Sequence, residues 1–471
     1  MKYSSEAEDD IVKPYTLAES LFFQGTDMLI AGDSVGAESA FRLALQSDWD
    51  FAEAHANLGL LLDLQERWTE GEEHYRKALR LSPLQTQTYL NFGAMLMKQK
   101  RHGEAEAVFR KALAIDPDSP GAWSSLGVLL ACIKEEEAAE YCYRSAMVIA
   151  PDYRKAGFNL AYLLLRQGRY QEGWTYLESR DWYRPLEERL MFPRWQGEAL
   201  KGKALLIGFE AGHGDMIQFC RYATQAKRIG ASRVAILCQP GLASLFTRLS
   251  GVDETISING PWPSTGFDYW TPALSLPRLF GTTLDTIPAD VPYLSAEPER
   301  ISYWADVIGP ADLRVGLVWK GNPRFENDPD RSLPSLQTLS PLIEVQGVRY
   351  FCLQKVTPAE DAEGDSELPW LVNLGARIGD FADTAAIVMN LDLVITVDTA
   401  VAHLTGALAK PCWVLLPDYK TDWRWLTGRE DSPWYPGVMR LFRQSQACNW
   451  ATVVDQVCLA LRSLATNRSD K

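Results

Sequence analysis

A register of residues recurring every 34 positions through the first third of the chain constrains its fold more than any other feature. Gly59, Gly93 and Gly127 are spaced by 34, as are Leu58, Phe92, Leu126 and Leu160. Tyr75, Phe109 and Tyr143 keep the same period, Ala78, Ala112 and Ala146 follow it, and Pro83, Pro117 and Pro151 close the three units. Between each Gly and its Pro sits a small residue (Gly71, Ala105, Ala139) that lets two helices touch. Gly25, Ala37, Phe41 and Ala44 extend the grid upstream, with Trp49 where the Pro should be; Leu160, Ala161 and Gly173 extend it downstream until the stretch from Trp174 to Trp182 breaks it. A single helical hairpin cannot bury its apolar face, so such units must stack. The grid predicts a tail at 1–17, then an α-helical solenoid of four hairpins and a partial fifth over 18–180.

The pattern of a large residue, Leu-Gly, a small residue, an aromatic, an Ala and a terminal Pro resembles the tetratricopeptide repeat. That resemblance implies a concave groove that binds protein. The residue before each Leu-Gly pair is Asn57, Asn91, Ser125 and Asn159 in turn. Stacked, these amides form a ladder able to hydrogen-bond the backbone of an extended peptide; Asn is also simply frequent at this repeat position.

At 471 residues the chain exceeds one core, and the remainder after the repeats suits two α/β lobes. A net charge of −14 without a basic cluster argues against a nucleic-acid partner. The first residues are acidic, and no stretch reaches the roughly 18 apolar residues of a membrane span, so a cytoplasmic location is expected. Eight scattered cysteines without a Cys-x-x-Cys pair read as buried small hydrophobes and leave no metal site.

From Lys203 the period changes. Ala204–Phe209 reads as a strand, Asp215–Ile229 as an amphipathic helix and Arg233–Cys238 as the next strand, a βαβ unit. A second series runs through Arg314–Trp319, Tyr350–Leu353, Leu391–Val397 and Cys412–Leu416, and the Pro-rich stretch around 290–312 reads as an interlobe linker. Two lobes at 181–300 and 301–471 would face each other across a cleft at the C-terminal ends of their strands.

Three motifs fall there. After the first strand, Gly212 and Gly214 permit a tight turn and Asp215 opens a helix, serving either as a cap or as a general base that takes a proton from an acceptor hydroxyl. In the second lobe, Asp398 and Thr399 sit at a strand-to-helix junction with His403 one turn on, either a cap with one surface histidine or a pyrophosphate site. Lys320, Gly321 and Asn322 with Arg331 form a polar loop whose cations are either solvated or placed to offset a departing phosphate. Arg424 between Trp423 and Trp425, with Pro433-Trp434-Tyr435-Pro436, reads as packing in preference to base stacking.

With Gly-His-Gly-Asp-Met-Ile-Gln-Phe, Gly-Leu-Val-Trp-Lys-Gly-Asn-Pro, Asp-Phe-Ala-Asp-Thr-Ala-Ala, Val-Asp-Thr-Ala-Val-Ala-His-Leu, and Asp-Ser-Pro-Trp-Tyr-Pro with Leu-Phe-Arg-Gln all in order, the chain resembles bacterial proteins that join tetratricopeptide repeats to a heptosyltransferase-like glycosyltransferase of the two-Rossmann, GT-B type. Its plan is also similar to O-GlcNAc transferases and bacterial flagellin glycosyltransferases. The resemblance implies a metal-independent, inverting glycosyltransferase with no cofactor beyond a nucleotide-sugar co-substrate. It implies Asp215 as base, Lys320, Gly321, Asn322, Arg331, Asp398, Thr399 and His403 on the donor, and His213 and Gly214 on the acceptor side. Ala211 and His213 depart from the Glu-Gln-Gly-Leu-Gly-Asp expected of this subfamily.

The leading expectation is transfer of a sugar to a protein hydroxyl, such as one on flagellin, with the acceptor recruited through Asn57, Asn91 and Asn159. The alternatives are transfer to a lipopolysaccharide or polysaccharide precursor, and a non-catalytic scaffold that binds nucleotide sugars.

Overall fold

The computed structural model describes residues 15–325, 327–355, 369–418, 421–447 and 449–469. They divide into two compact units, one through residue 156 and one from residue 157 onward. Cys448 of the sequence reading lies outside the described residues; Cys142, Cys220, Cys238, Cys352, Cys412 and Cys458 are buried.

The first unit is a row of antiparallel helices: α1 (Leu17–Ile30), α2 (Ser34–Ser47), α3 (Ala52–Leu64), α4 (Trp68–Leu81), α5 (Thr86–Lys98), α6 (His102–Ile115), α7 (Pro120–Cys132) and α8 (Glu136–Ile149). The 34-residue register has a direct steric cause. A Cβ on Gly93 would stand 2.3 Å from the Phe109 ring, one on Gly127 2.7 Å from Tyr143, and one on Gly25 2.8 Å from Phe41. Each hairpin therefore closes by seating the aromatic of its second helix on the bare backbone of its first, and Ala78, Ala112 and Ala146 are fully buried beside those contacts. Each hairpin turn uses one residue in the left-handed region, and these too recur every 34 positions: Gly32, Glu66, Lys100, Lys134 and Gly168. The helices before Pro83, Pro117 and Pro151 end in an extended residue (Ser82, Asp116, Ala150), as a following proline requires.

The partial fifth hairpin consists of α9 (Arg154–Arg166) and α10 (Tyr170–Leu177). From residue 157 it belongs to the second unit, where Trp174 packs edge-on against Trp423 at 5.2 Å.

Two parallel sheets follow. β1 (Ala204–Gly208), β2 (Arg233–Cys238), β3 (Glu254–Ser257) and β4 (Tyr269–Pro272) lie in the order β3-β2-β1-β4. β5 (Leu313–Val318), β6 (Val348–Cys352), β7 (Leu371–Asn373), β8 (Leu393–Val397), β9 (Cys412–Leu416) and β10 (Met439–Arg443) lie in the order β10-β9-β8-β5-β6-β7. β1 pairs with β2 on one side and β4 on the other; β5 pairs with β6 and β8. Both central strands are almost wholly buried, as continuous apolar runs in parallel sheets should be.

Two expectations need correction. The helix expected from Asp215 to Ile229 begins at His213 and is broken into His213–Phe219 and Tyr222–Arg228. Arg221, at the break, turns inward: its Nε donates to the Gln218 carbonyl at 2.8 Å and its Nη1 to the Trp434 carbonyl at 2.9 Å. The Pro-rich stretch is also more than a linker, because Pro298–Ile308 is helical. Pro298 stands in the first turn of that helix, where no amide hydrogen is needed. Arg300 on this helix donates to Asp383 at 2.7 Å and to Asp380 at 3.2 Å, docking it on the helix Phe381–Asn390.

Candidate functional site

In open parallel sheets the crevice forms where neighbouring strands send their connections to opposite sides, outside the C-terminal strand ends. In the second sheet that place lies between β5 and β8. β5 runs into Trp319 to Asn322 and β8 into Asp398 and Thr399, so two of the three motifs meet at the switch point.

The third motif arrives from β1. Glu210 at its head is consumed internally: the buried Arg180 donates to its carboxylate, and Glu210 Oε2 also accepts from the Leu274 amide at 3.2 Å. Ala211 then takes φ of 55°, a strained setting for a residue with a Cβ. Gly214 is required by proximity, since a Cβ there would stand 2.9 Å from His403 Cδ2 and 3.4 Å from Ala400 Cα. The helix Ala400–Ala407 of the second lobe thus lies directly against the first-lobe turn.

Asp215 is the third residue of its helix, and Gly212 before it is the cap. Asp215 Oδ2 accepts from the Gly212 amide at 2.7 Å, while its other oxygen is bonded by the Nη2 of Arg424. Arg424 is itself held in place: Nη1 donates to both oxygens of Asp422 at 3.0 Å, Nε donates to Gln218, and the guanidinium lies 4.4 Å over the Trp423 ring. Burial raises the pKa of Asp215 and the charge of Arg424 opposes that rise. The Asp215 side chain remains 19% exposed.

The Asp398 segment is not the alternative of a helix cap with a surface histidine. The Thr399 hydroxyl does not cap the helix behind it; it lies 2.9 Å from the Thr396 hydroxyl. His403 is 5% exposed, stacked on Trp425 at 5.3 Å, with Nδ1 2.9 Å from the Tyr435 hydroxyl. Burial, then Arg424 and Arg221, push its pKa well down, so its ring is neutral and only Nε2 is left unengaged by Tyr435. Asp398 is pushed up to about 6 by burial and by Asp422, against the pull of Arg331 and Arg424.

In the loop after β5, a Cβ on Gly321 would strike Asp328 Oδ1 at 2.4 Å and Arg331 Nη2 at 2.5 Å, so Arg331 lies against Gly321. The Gly321 amide donates to Ser332 Oγ at 2.8 Å, Lys320 donates its amide to Gln354 at 3.1 Å, and Asn322 Oδ1 accepts from the Arg324 amide at 3.0 Å. Arg331 is anchored by Asp328 at 3.1 Å and stacks 4.6 Å over Phe325.

His213 is exposed, with its ring 5.1 Å from Phe381; desolvation of the ring lowers its pKa. Asn57 and Asn91 belong to the first unit and Asn159 to the second. Asn57 donates to Thr26 at 3.3 Å and Asn91 accepts from Gln87 at 2.8 Å, so both amides are already partly used. The sequence reading missed Arg424, Asp422 and Gln218 as members of the site. The available signal was an arginine between two tryptophans, since a buried guanidinium demands carboxylate partners. Trp423, Trp425 and Trp434 are themselves buried, as packing residues.

Residues 25–86, 65–120 and 90–154 match the tetratricopeptide-repeat family model. Residues 25–154 are tetratricopeptide repeats. The chain is 29% identical over 342 residues to Protein FlbA of Caulobacter vibrioides, covering 66% of this chain and 55% of that protein. The chain thus spans about half the length of that relative. Among solved structures, pilF of Pseudomonas aeruginosa is similar at 23% identity and a TM-score of 0.33, covering 35% of this chain and 74% of that one. PilW, a type IV pilus biogenesis factor, is similar at 21% identity and a TM-score of 0.34, covering 38% of this chain and 81% of that one. Among the described residues no helix is long and apolar enough to cross a membrane.

Proposed function

We propose that this chain is a metal-independent, inverting glycosyltransferase of the GT-B type that moves a sugar from a nucleotide-sugar donor to a protein hydroxyl, the acceptor being recruited by the tetratricopeptide repeats. The observation that carries the reading is the convergence of Asp215 from the first sheet with Asp398, Arg331 and Arg424 from the second. In this reading the acceptor oxygen attacks the anomeric carbon, its proton passes to Asp215, and the bond between that carbon and the diphosphate oxygen breaks. Lys320, Arg331 and the amides at the start of the helix Ala400–Ala407 offset the charge on the departing nucleotide diphosphate. His403, being neutral, contributes a hydrogen bond to the donor and no charge. Arg424 holds the Asp215 carboxylate toward the crevice, and its short tether to Asp422 keeps it there.

The test is to incubate the purified chain with a panel of nucleotide sugars and candidate protein acceptors, reading transfer by mass spectrometry and donor binding by thermal shift. Transfer that vanishes in Asp215→Asn while the donor-induced shift persists supports the reading. Donor binding without transfer to any protein favours the scaffold. The observation on that side is that the Asp215 carboxylate is already ion-paired with Arg424.

A further inference from the structure

Three arginines of the second unit are buried among the described residues, and one of them lacks a carboxylate. Arg180 is paired with Glu210, and Arg424 with Asp215 and Asp422. Arg221 instead donates to the carbonyls of Gln218 at 2.8 Å, Pro288 at 3.1 Å and Trp434 at 2.9 Å, and to the Tyr293 hydroxyl at 2.8 Å. Its guanidinium lies 4.3 Å over the Tyr293 ring and 4.8 Å over the Tyr435 ring. A desolvated cation without a counter-charge exerts its field on the polar groups beside it.

Those groups lead to His403. The Tyr435 ring is seated on the bare backbone of Gly406, where a Cβ would stand 2.5 Å from its Cδ1, and its hydroxyl lies 2.9 Å from His403 Nδ1. Either the phenol donates to a bare Nδ1 and the ring proton sits on Nε2, or Nδ1–H donates to the phenol. Burial pushes the phenol up to about 12, against the pull of Arg221, so at neutral pH it carries a proton that needs an acceptor. Tyr293 also acts on Tyr435, but its own proton goes to the Ile217 carbonyl at 3.0 Å and its oxygen already takes the Arg221 Nη2. The field of Arg221 then decides: it favours the bare nitrogen on its own side of the imidazole and the N–H on the far side. Arg424 acts on the ring as well, but Asp215 and Asp422 offset its charge. The far edge faces the first-lobe turn, since a Cβ on Gly214 would stand 2.9 Å from His403 Cδ2, the neighbour of Nε2.

We propose that Tyr435, with Arg221 behind it, is a positioning residue that fixes His403 as the Nε2–H tautomer, so that the ring offers an N–H to a non-bridging phosphoryl oxygen of a nucleoside diphosphate. The assignment rests on the transfer reading for its ligand and on this hydrogen-bond chain for the direction of the proton. A phosphoryl oxygen only accepts, whereas a sugar hydroxyl both accepts and donates, so a bare Nε2 would suit the sugar and repel the phosphate.

The test uses the full chain with nitrogen-15 in its histidines. A long-range proton–nitrogen correlation spectrum of the ligand-free protein, with the His403 signals assigned by their loss in His403→Gln, should show the proton on Nε2 and a bare Nδ1. Calorimetry with ADP, CDP, GDP, TDP and UDP, and with the matching nucleosides, gives the second readout. Tyr435→Phe should weaken the tightest diphosphate about tenfold and its nucleoside by less than about twofold. In His403→Gln, whose amide carries its own N–H, the same change should cost less than about twofold. A proton on Nδ1 overturns the assignment and leaves the transfer reading standing if transfer is seen. Equal weakening of diphosphate and nucleoside in Tyr435→Phe, or the same loss in the His403→Gln background, makes the tyrosine a packing residue only and overturns its positioning role. A proton on Nε2 with no diphosphate bound by the unsubstituted chain overturns the phosphoryl ligand and the transfer reading together.

Discussion

At the residue scale, the candidate centre is a set of buried charges whose balance sets its chemistry. Arg424 stands between Asp215 and Asp422, and removing it leaves two carboxylates facing each other in a desolvated place. Arg424→Met should therefore destabilise the protein by about 3–5 kcal/mol, read by urea denaturation. Asp398 gives a pH dependence whose sign follows from its raised pKa. The folded state holds its proton more tightly than the unfolded chain does, so its contribution to stability is complete below the ordinary aspartate pKa and is lost as pH rises through about 6. Asp398→Asn should then gain stability relative to the unsubstituted protein as pH rises from about 4 to 7, by about 3 kcal/mol in urea denaturation; an advantage that does not change with pH would mean the carboxylate titrates normally. Little of this was legible from residue types. Asp215 and Asp398 could be picked out by position after strands, but the partners that tune them, Arg424 and Asp422, sit in a loop some two hundred residues from Asp215, and no local pattern announces that contact.

At the element scale, the repeat helices are governed by local sterics, and here sequence spacing and structure agree closely. The Gly93–Phe109 contact explains both residues at once. Gly93→Ala should lower stability by about 1–3 kcal/mol as the ring is forced away. Gly103→Ala, where nothing lies within 4 Å of the added methyl, should raise it by about 0.5–1 kcal/mol through helix propensity. Measured together by chemical denaturation, the pair separates packing from backbone entropy. The same logic applies to the turns: Lys100 holds φ of 60° where Gly32 and Gly168 stand in other units. Lys100→Gly should stabilise by up to about 1 kcal/mol as left-handed strain is relieved. That position could have been read from the two glycines on the 34-residue grid. By contrast, the break between Phe219 and Tyr222 could not, because it depends on Arg221 reaching the Trp434 carbonyl in a distant loop.

At the scale of the whole molecule, the amides of the repeats offer the most direct test of protein recruitment. Changing Asn57, Asn91 and Asn159 together to Ala should raise the KM for a protein acceptor while leaving kcat and donor hydrolysis near their original values. Equal loss of both would mean the amides only support the helices, a role already visible in the bonds from Asn57 to Thr26 and from Gln87 to Asn91. The sequence alone determined the repeat array, six of the ten strands of the described residues and the three loops that follow β1, β5 and β8, because each depends on contacts within one hairpin or on a period along one element. Tertiary structure decided which hairpin joins the second unit, that Pro298 starts a helix, that His403 is a neutral packed ring and that Asp215 faces Arg424. Those outcomes rest on burial and charge pairing between segments far apart in the chain, and burial is a property of the assembled fold rather than of any stretch of sequence.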